Sequence, residues 1–151
     1  MHSIVEIFSS AYFWFTIGAW ILAQLLKVPT YLLTEKKLDW KRFFGAGGMP
    51  SSHTASVMCL AVMIGMREGW TSAVFSVSLC LAIIVMYDAA GVRRETGKQS
   101  QVINEILSKI LVDGQPISDA ELKELVGHSP FEVAGGAVVG ILMALCSLLV
   151  S

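Results

Sequence analysis

Four long apolar runs constrain the fold of this 151-residue chain more than any other feature. Each holds about 17–20 residues, and an α-helix that rises about 1.5 Å per residue needs about 20 to cross a bilayer. Charged residues make up 15% of the chain, whereas soluble domains average about 25%. We therefore predict an all-α fold, a polytopic membrane bundle with about four transmembrane helices in a single integral membrane domain over residues 1–151. The predicted spans are residues 11–28, 50–66, 70–87 and 131–150.

A soluble, all-helical core is the alternative to this membrane bundle. The third and fourth runs contain no Lys or Arg, which favours membrane spans. The second run is the least typical span, because Ser51, Ser52, His53 and Thr54 open it. The first run lacks a basic segment before it, so we interpret it as a retained membrane helix and not as a cleaved leader.

The basic residues are distributed unequally between the two sides of the predicted bundle. The short link Arg67–Gly69 forces the second and third spans into an antiparallel hairpin. Both termini and Arg67 then lie on one side, and the long loops 29–49 and 91–129 lie on the other. The positive-inside rule predicts that both loops are cytoplasmic and both termini face outward, in a multi-pass protein of the inner (plasma) membrane. Ten of the eleven basic residues lie on the loop side: Lys27, Lys36, Lys37, Lys41, Arg42, Arg93, Arg94, Lys98, Lys109 and Lys123.

A helical pair is predicted within the second long loop, over about residues 95–127. Val102, Ile103 and Ile106 recur at helical spacing, and Ser118 with Glu121 resembles a capping box. We expect its apolar stripe to lie on the membrane surface or over a site. The net charge of −1 gives no indication of a nucleic-acid partner.

A first polar cluster opens the second span. Pro50 suits the first turn of a helix, where its missing N–H has no cost. The neighbouring N–H groups and the hydroxyls of Ser51 and Ser52 are then suited to bind an anion, with His53 at the same terminus. The alternative is an ordinary serine-capped membrane helix with an interfacial histidine.

A second cluster follows the third span. Arg93 and Arg94 offer planar, permanently charged groups that match phosphate oxygens. Asp88, near the membrane boundary, is expected to need a cationic partner, and one of these arginines is available. The alternative for the arginines is anchoring to lipid headgroups.

A third cluster enters the fourth span. Glu132 is the only charged residue of that run, and an unpaired carboxylate within a membrane is costly. His128 precedes it by one helical turn, and a carboxylate on one imidazole nitrogen makes the other more nucleophilic. A purely structural His–Glu contact is the alternative, and a Ser129 N-cap would leave His128 just outside the helix.

Together the three clusters favour phosphoryl transfer. Such chemistry requires a nucleophile, an acid for the leaving group and cations on the phosphoryl oxygens. Lys27 and Arg42 add positive charge on the same side. No carboxylate-rich magnesium site is evident, and the three cysteines lack metal-ligand spacing. We therefore expect covalent histidine catalysis with neither metal nor other cofactor.

Three motifs in this order resemble the type 2 phosphatidic acid phosphatase superfamily, which also includes acid phosphatases and vanadium-dependent haloperoxidases. They are Gly-Gly-Met-Pro-Ser-Ser-His, Tyr-Asp-Ala-Ala-Gly-Val-Arg-Arg and Gly-His-Ser-Pro-Phe-Glu-Val, whose wording is similar to the divergent branch of that superfamily. The resemblance implies that His128 attacks phosphorus, that Glu132 orients it and that His53 protonates the leaving group. It further implies that Ser51, Ser52 and Arg93 or Arg94 hold the phosphate, with Lys27 and Arg42 as substitutes for the superfamily's first motif.

The predicted function is a membrane phosphatase that hydrolyses a lipid phosphate or diphosphate through a phosphohistidine at the cytoplasmic face. One alternative is a non-catalytic binder or transporter of phosphorylated lipid, and another is a structural membrane protein whose motifs are helix caps. Four spans are fewer than the superfamily's usual six. A homo-oligomer in which a second subunit completes the site is therefore also considered.

Overall fold

The fold consists of α-helices throughout the part of the chain that the computed structural model describes, residues 8–36, 43, 48–91, 99–100, 102–103 and 129–150. Four long helices are present within these ranges, and a short 3₁₀ turn, Ser147–Leu149, follows the last. No strand occurs in them. The prediction of an all-α membrane bundle is therefore confirmed. The helices are α1 (Ala11–Glu35), α2 (Ser52–Glu68), α3 (Ala73–Ala90) and α4 (Pro130–Cys146).

Three of these helices, and not about four as predicted, are long and apolar enough to cross a membrane. They supply the segments Ala11–Thr34, Ala73–Ala90 and Pro130–Leu149. Helix α2 has 17 residues, a length of about 25 Å, which is shorter than the ~30 Å hydrocarbon core. Its polar first turn also lowers its hydropathy. Within the described residues, three helices therefore qualify as apolar spans where about four are predicted, and α2 crosses the bundle between them.

Helix α2 lies at the centre of the bundle and packs against each of the other three helices. Helix α1 also contacts α4, whereas α3 packs mainly on α2. Protein therefore covers much of α2, so its side chains need not suit lipid. The residues buried along it are Ser52, Thr54, Ala55, Cys59, Ala61, Met63, Ile64 and Gly65.

The outer faces of the three spanning helices are apolar and exposed. On α3, Val77 is 70% exposed and Ile84 is 59% exposed. A soluble protein rarely presents so continuous an apolar surface, whereas a bilayer provides it with hydrocarbon contacts. The fold therefore supports a multi-pass membrane protein over a soluble helical core.

Small residues allow α4 to approach α2 very closely. Gly136, Gly140 and Ala144 recur every four residues on one face of α4, and all three are buried. A Cβ on Gly136 would lie 2.4 Å from the carbonyl oxygen of Ser51, and one on Gly140 would lie 2.4 Å from that of Ala55. Only glycine permits backbones this close, as is common between membrane helices. The two helices run parallel, with both N-termini at the same end.

A tight turn joins α2 to α3, as the short link predicted. Gly69 has φ +95°, which favours glycine, and the Ser72 side chain accepts from the Phe75 N–H to begin α3. At this end of the bundle the Tyr12 hydroxyl donates to Glu68 at 2.7 Å, and Arg67 donates to the Ser147 carbonyl at 3.3 Å. These contacts hold the start of α1 and the end of α4 against the end of α2.

Helix α1 extends to Glu35, beyond the predicted end of the first span at residue 28, and passes through Pro29. Proline removes one backbone donor, and membrane helices tolerate such a loss. The Thr30 hydroxyl lies 2.8 Å from the Leu26 carbonyl and 3.1 Å from that of Lys27. The last two turns of α1 therefore belong to the helix and not to the first long loop.

Candidate functional site

Three helix ends meet at the end of the bundle opposite the α2–α3 turn. The Ser51 N–H donates to the Glu132 carbonyl at 2.9 Å, which joins the beginnings of α2 and α4. From α1, the Thr30 hydroxyl donates to the Met49 carbonyl. We call this region the polar end, and it comprises Lys27, Thr30, Ser51, Ser52 and Glu132.

The beginning of α2 is fixed by its own polar side chains. Ser51 is the N-cap, and its Oγ accepts from the Thr54 N–H at 3.4 Å and from the Thr54 hydroxyl at 3.1 Å. Ser51 and Ser52 are almost completely buried. Pro50 precedes the cap, so the prediction that it lies in the first turn is wrong. Serine takes the cap because only from there does its short side chain reach the N–H three residues on.

His53 occupies the second position of α2, and its side chain is exposed. The first N–H groups of any α-helix lack acceptors within that helix, and the helix dipole gives this end a partial positive charge. An exposed imidazole beside such donors is well placed to meet an anion that approaches from outside the bundle. The His53 side chain is therefore accessible from outside the bundle.

Lys27 extends from α1 into the polar end and is only 3% exposed. Its aliphatic stem packs over Gly48, where an added Cβ would lie 3.9 Å from Lys27 Cγ and Cδ. Gly48 has φ +85°, in the region that favours glycine. The Lys27 ammonium and the Glu132 carboxylate attract each other electrostatically. A buried cation thus lies near the beginning of α4.

The beginning of α4 is a complete capping box. The Ser129 N–H donates to Glu132 Oε2 at 2.8 Å, and the Glu132 N–H donates to Ser129 Oγ at 3.3 Å. Pro130 fills the first helical position, the place predicted for Pro50 in α2. His128 directly precedes the cap and lies outside the described residues, so its pairing with Glu132 stays a prediction. The capping box gives the Glu132 carboxylate a backbone partner of its own.

The structure describes one of the remaining predicted site residues, and the other residues lie outside the described ranges. Asp88 is partly buried in the last turn of α3, and this turn lies at the same end of the bundle as the beginning of α2. Arg42, Arg93 and Arg94 lie outside the described residues, as does His128. Among the residues that the structure does describe, no group of three or more His, Cys, Asp or Glu side chains could hold a metal ion.

The sequence motifs do not include Thr30, and they include Gly48 without assigning it a contact. Thr30 lies within α1, and a threonine hydroxyl in a helix commonly bonds to a carbonyl of the preceding turn. Gly48 belongs to the glycine-rich stretch before Pro50, but nothing in the sequence indicates that Lys27 packs over it. That contact depends on how α1 and α2 pack.

Comparison with known proteins agrees with the motifs and with the fold. A family model described as the divergent PAP2 family matches residues 8–143. An uncharacterized membrane protein of Bacillus subtilis (strain 168), YuiD, is 39% identical over 140 residues, which cover 86% of this chain and 89% of the relative. No solved structure matches. The family model covers nearly all of the chain and includes the residues of the polar end, and we therefore conclude that this multi-pass membrane protein belongs to the divergent PAP2 family.

Proposed function

We propose that the protein is a membrane phosphatase that hydrolyses a lipid phosphate or diphosphate at the polar end. The observation that carries this proposal is the convergence of two helix N-termini and the buried Lys27 in one place. Each N-terminus carries about half a positive charge, and the lysine adds a full one. Such a concentration of positive charge favours a phosphate group.

The chemistry that we propose divides between two histidines. His128 Nε2 or Nδ1 attacks phosphorus, so that a P–N bond forms as the P–O bond to the lipid breaks. His53 gives its proton to the departing lipid oxygen. Water, deprotonated by His53, then cleaves the phosphohistidine and releases inorganic phosphate. Arg42, Arg93 and Arg94 are proposed to bind the phosphoryl oxygens, and Asp88 to orient one of the arginines.

A lipid is the proposed substrate because of where the polar end lies. Lys27 is buried within the spanning segment Ala11–Thr34, close to the boundary at which lipid headgroups meet water. A phosphate carried by a membrane lipid reaches that depth without leaving the bilayer. From the distribution of basic residues, we propose that this is the cytoplasmic leaflet of the plasma membrane.

The test is phosphate release by the purified protein from a panel of lipid phosphates and diphosphates in detergent micelles. The His128→Ala variant is expected to lose essentially all turnover, and His53→Ala to lose about 10²–10⁴-fold, the usual contribution of a general acid. The chain has three histidines, so His2→Ala is a matched control that should keep wild-type turnover. Turnover that is unchanged in both His128→Ala and His53→Ala would overturn the proposal.

A second candidate function is favoured by the contacts of Glu132. Its carboxylate already accepts from the Ser129 N–H and attracts Lys27, so the site is well organised without any histidine. A binder or transporter of phosphorylated lipid needs such an anion site and no nucleophile. This function predicts lipid-phosphate binding that depends on Lys27 and on Arg93 or Arg94, with no product formed by the wild type.

A further inference from the structure

Glu132 differs from the other residues of the polar end in bringing a negative charge to it. The residue begins α4, is half-buried and forms both halves of the capping box with Ser129. Its backbone carbonyl accepts from the Ser51 N–H at 2.9 Å. Glu132 is therefore tied by its main chain to α2, which fixes where its carboxylate can lie.

Lys27 approaches the same place from α1. Its stem crosses Gly48, three residues before the Ser51 N–H that binds Glu132. The Lys27 side chain is almost fully buried, and its positive charge interacts with the negative charge of Glu132 at the same end of the bundle. A cation buried in a membrane bundle is costly without a nearby anion, and Glu132 is an anion that the helix cap holds in position.

We propose that Glu132 is the counter-ion of Lys27. Its carboxylate holds the Lys27 ammonium in position when no phosphate is bound, and it competes with phosphate for that ammonium. The inference rests on the proposed function in one respect only, namely that phosphate is the anion that binds. It gives Glu132 a different task from the one that the resemblance implies, the orientation of His128. Glu132 is accordingly a positioning residue that acts through Lys27.

Because Glu132 belongs to a capping box, a substitution can remove its charge and still keep the helix cap. A glutamine at the same position also completes a capping box, because its side-chain oxygen accepts from the Ser129 N–H. Glu132→Gln therefore keeps the helix cap and removes the charge that faces Lys27. Glu132→Asp keeps the charge and serves as the conservative variant.

The first experiment measures the affinity of the purified full chain for orthovanadate and for inorganic phosphate. Glu132→Gln is expected to bind both anions roughly tenfold more tightly, since one like charge is removed from the proposed anion site. Glu132→Asp should stay near wild type, and Lys27→Met should lose binding. A residue that only orients a histidine would lower turnover and leave anion affinity unchanged. Unchanged or weaker affinity in folded Glu132→Gln would overturn the proposal.

The second experiment is a thermal-unfolding cycle over Lys27→Met, Glu132→Gln and the double variant. Each single variant leaves one charge without its counter-ion, so the double variant should be more stable than the sum of the two losses predicts. Additive losses, or a double variant that fails to fold, would contradict the pairing. The cycle requires no turnover. If the wild type bound neither anion, the proposed phosphate site would fail, and the cycle would still decide whether Glu132 and Lys27 are paired.

Discussion

The Ser51 side chain is expected to contribute measurably to the stability of the polar end. Its buried hydroxyl caps α2 and accepts from the Thr54 hydroxyl. Ser51→Ala removes the cap and leaves the Thr54 hydroxyl without this acceptor, so we expect a loss of about 1–2 kcal/mol in unfolding free energy. The measurement is thermal or denaturant unfolding in detergent. Ser56→Ala is the matched control, because the Ser56 hydroxyl only donates back to the Ser52 carbonyl. An equal effect of both substitutions would contradict the capping role.

At this scale the sequence predicts residue types and local motifs better than partners. The sequence offers Ser129 as an N-cap, and the structure contains a complete capping box there with Glu132. The approach of Lys27 to Glu132 could not be predicted, because α1 and α4 are separated by about a hundred residues and meet only through tertiary packing. Periodicity says which face of a helix is apolar, but not which side chain of another helix faces it.

At the scale of helices, the contact between α4 and α2 is the most sensitive to substitution. A side chain at Gly136 would meet the Ser51 carbonyl oxygen at 2.4 Å and Thr54 Cβ at 2.9 Å, and neither atom can move freely. We expect Gly136→Val to cost about 1–3 kcal/mol or more through overpacking. It should also separate the Ser51 N–H from the Glu132 carbonyl. The protein that remains folded should then bind orthovanadate more weakly.

The matched control is Gly135→Ala. Its Cβ would lie 3.2 Å from Met49 Cε, the end of a flexible side chain, so its effect on stability is expected to be below about 1 kcal/mol. Unfolding midpoints and orthovanadate affinity in detergent check both variants. Comparable losses in the two would show that close approach at Gly136 is not what joins the helices.

Helix boundaries illustrate where prediction from sequence fails at this scale. Hydropathy ends the first span near residue 28, but α1 continues through Pro29 to Glu35, since a helix can extend past the point at which its side chains suit lipid. Hydropathy also treats α2 as a span, although α2 is a shorter helix that other helices surround. Hydropathy measures how well a segment suits lipid, whereas α2 is in contact mainly with other helices.

For the whole molecule, the arrangement of basic residues predicts an orientation in the membrane. On a background without cysteine, Ser10→Cys lies before α1 and Ser100→Cys lies in the second long loop. In intact cells, a membrane-impermeant maleimide should label the cysteine at position 10 and reach position 100 only after the membrane is permeabilised. The cysteine-free chain is the control. The reverse labelling pattern would put the polar end on the outer face and move the proposed substrate to the outer leaflet.

The central place of α2 has a consequence for how the chain enters the bilayer during its synthesis. Offered alone to the insertion machinery, this short helix with a polar first turn would partition poorly into lipid. The tight turn at Gly69 connects it directly to α3, which is much more apolar. We therefore expect α2 and α3 to insert together as a helical hairpin. The face of α2 that Gly136 and Gly140 cover then stays open to lipid until α4, which is made later, docks against it. Nascent chains that stop before α4 would expose this face, including Ser51 and Thr54 at its polar beginning, and we expect them to be targets for membrane proteolysis.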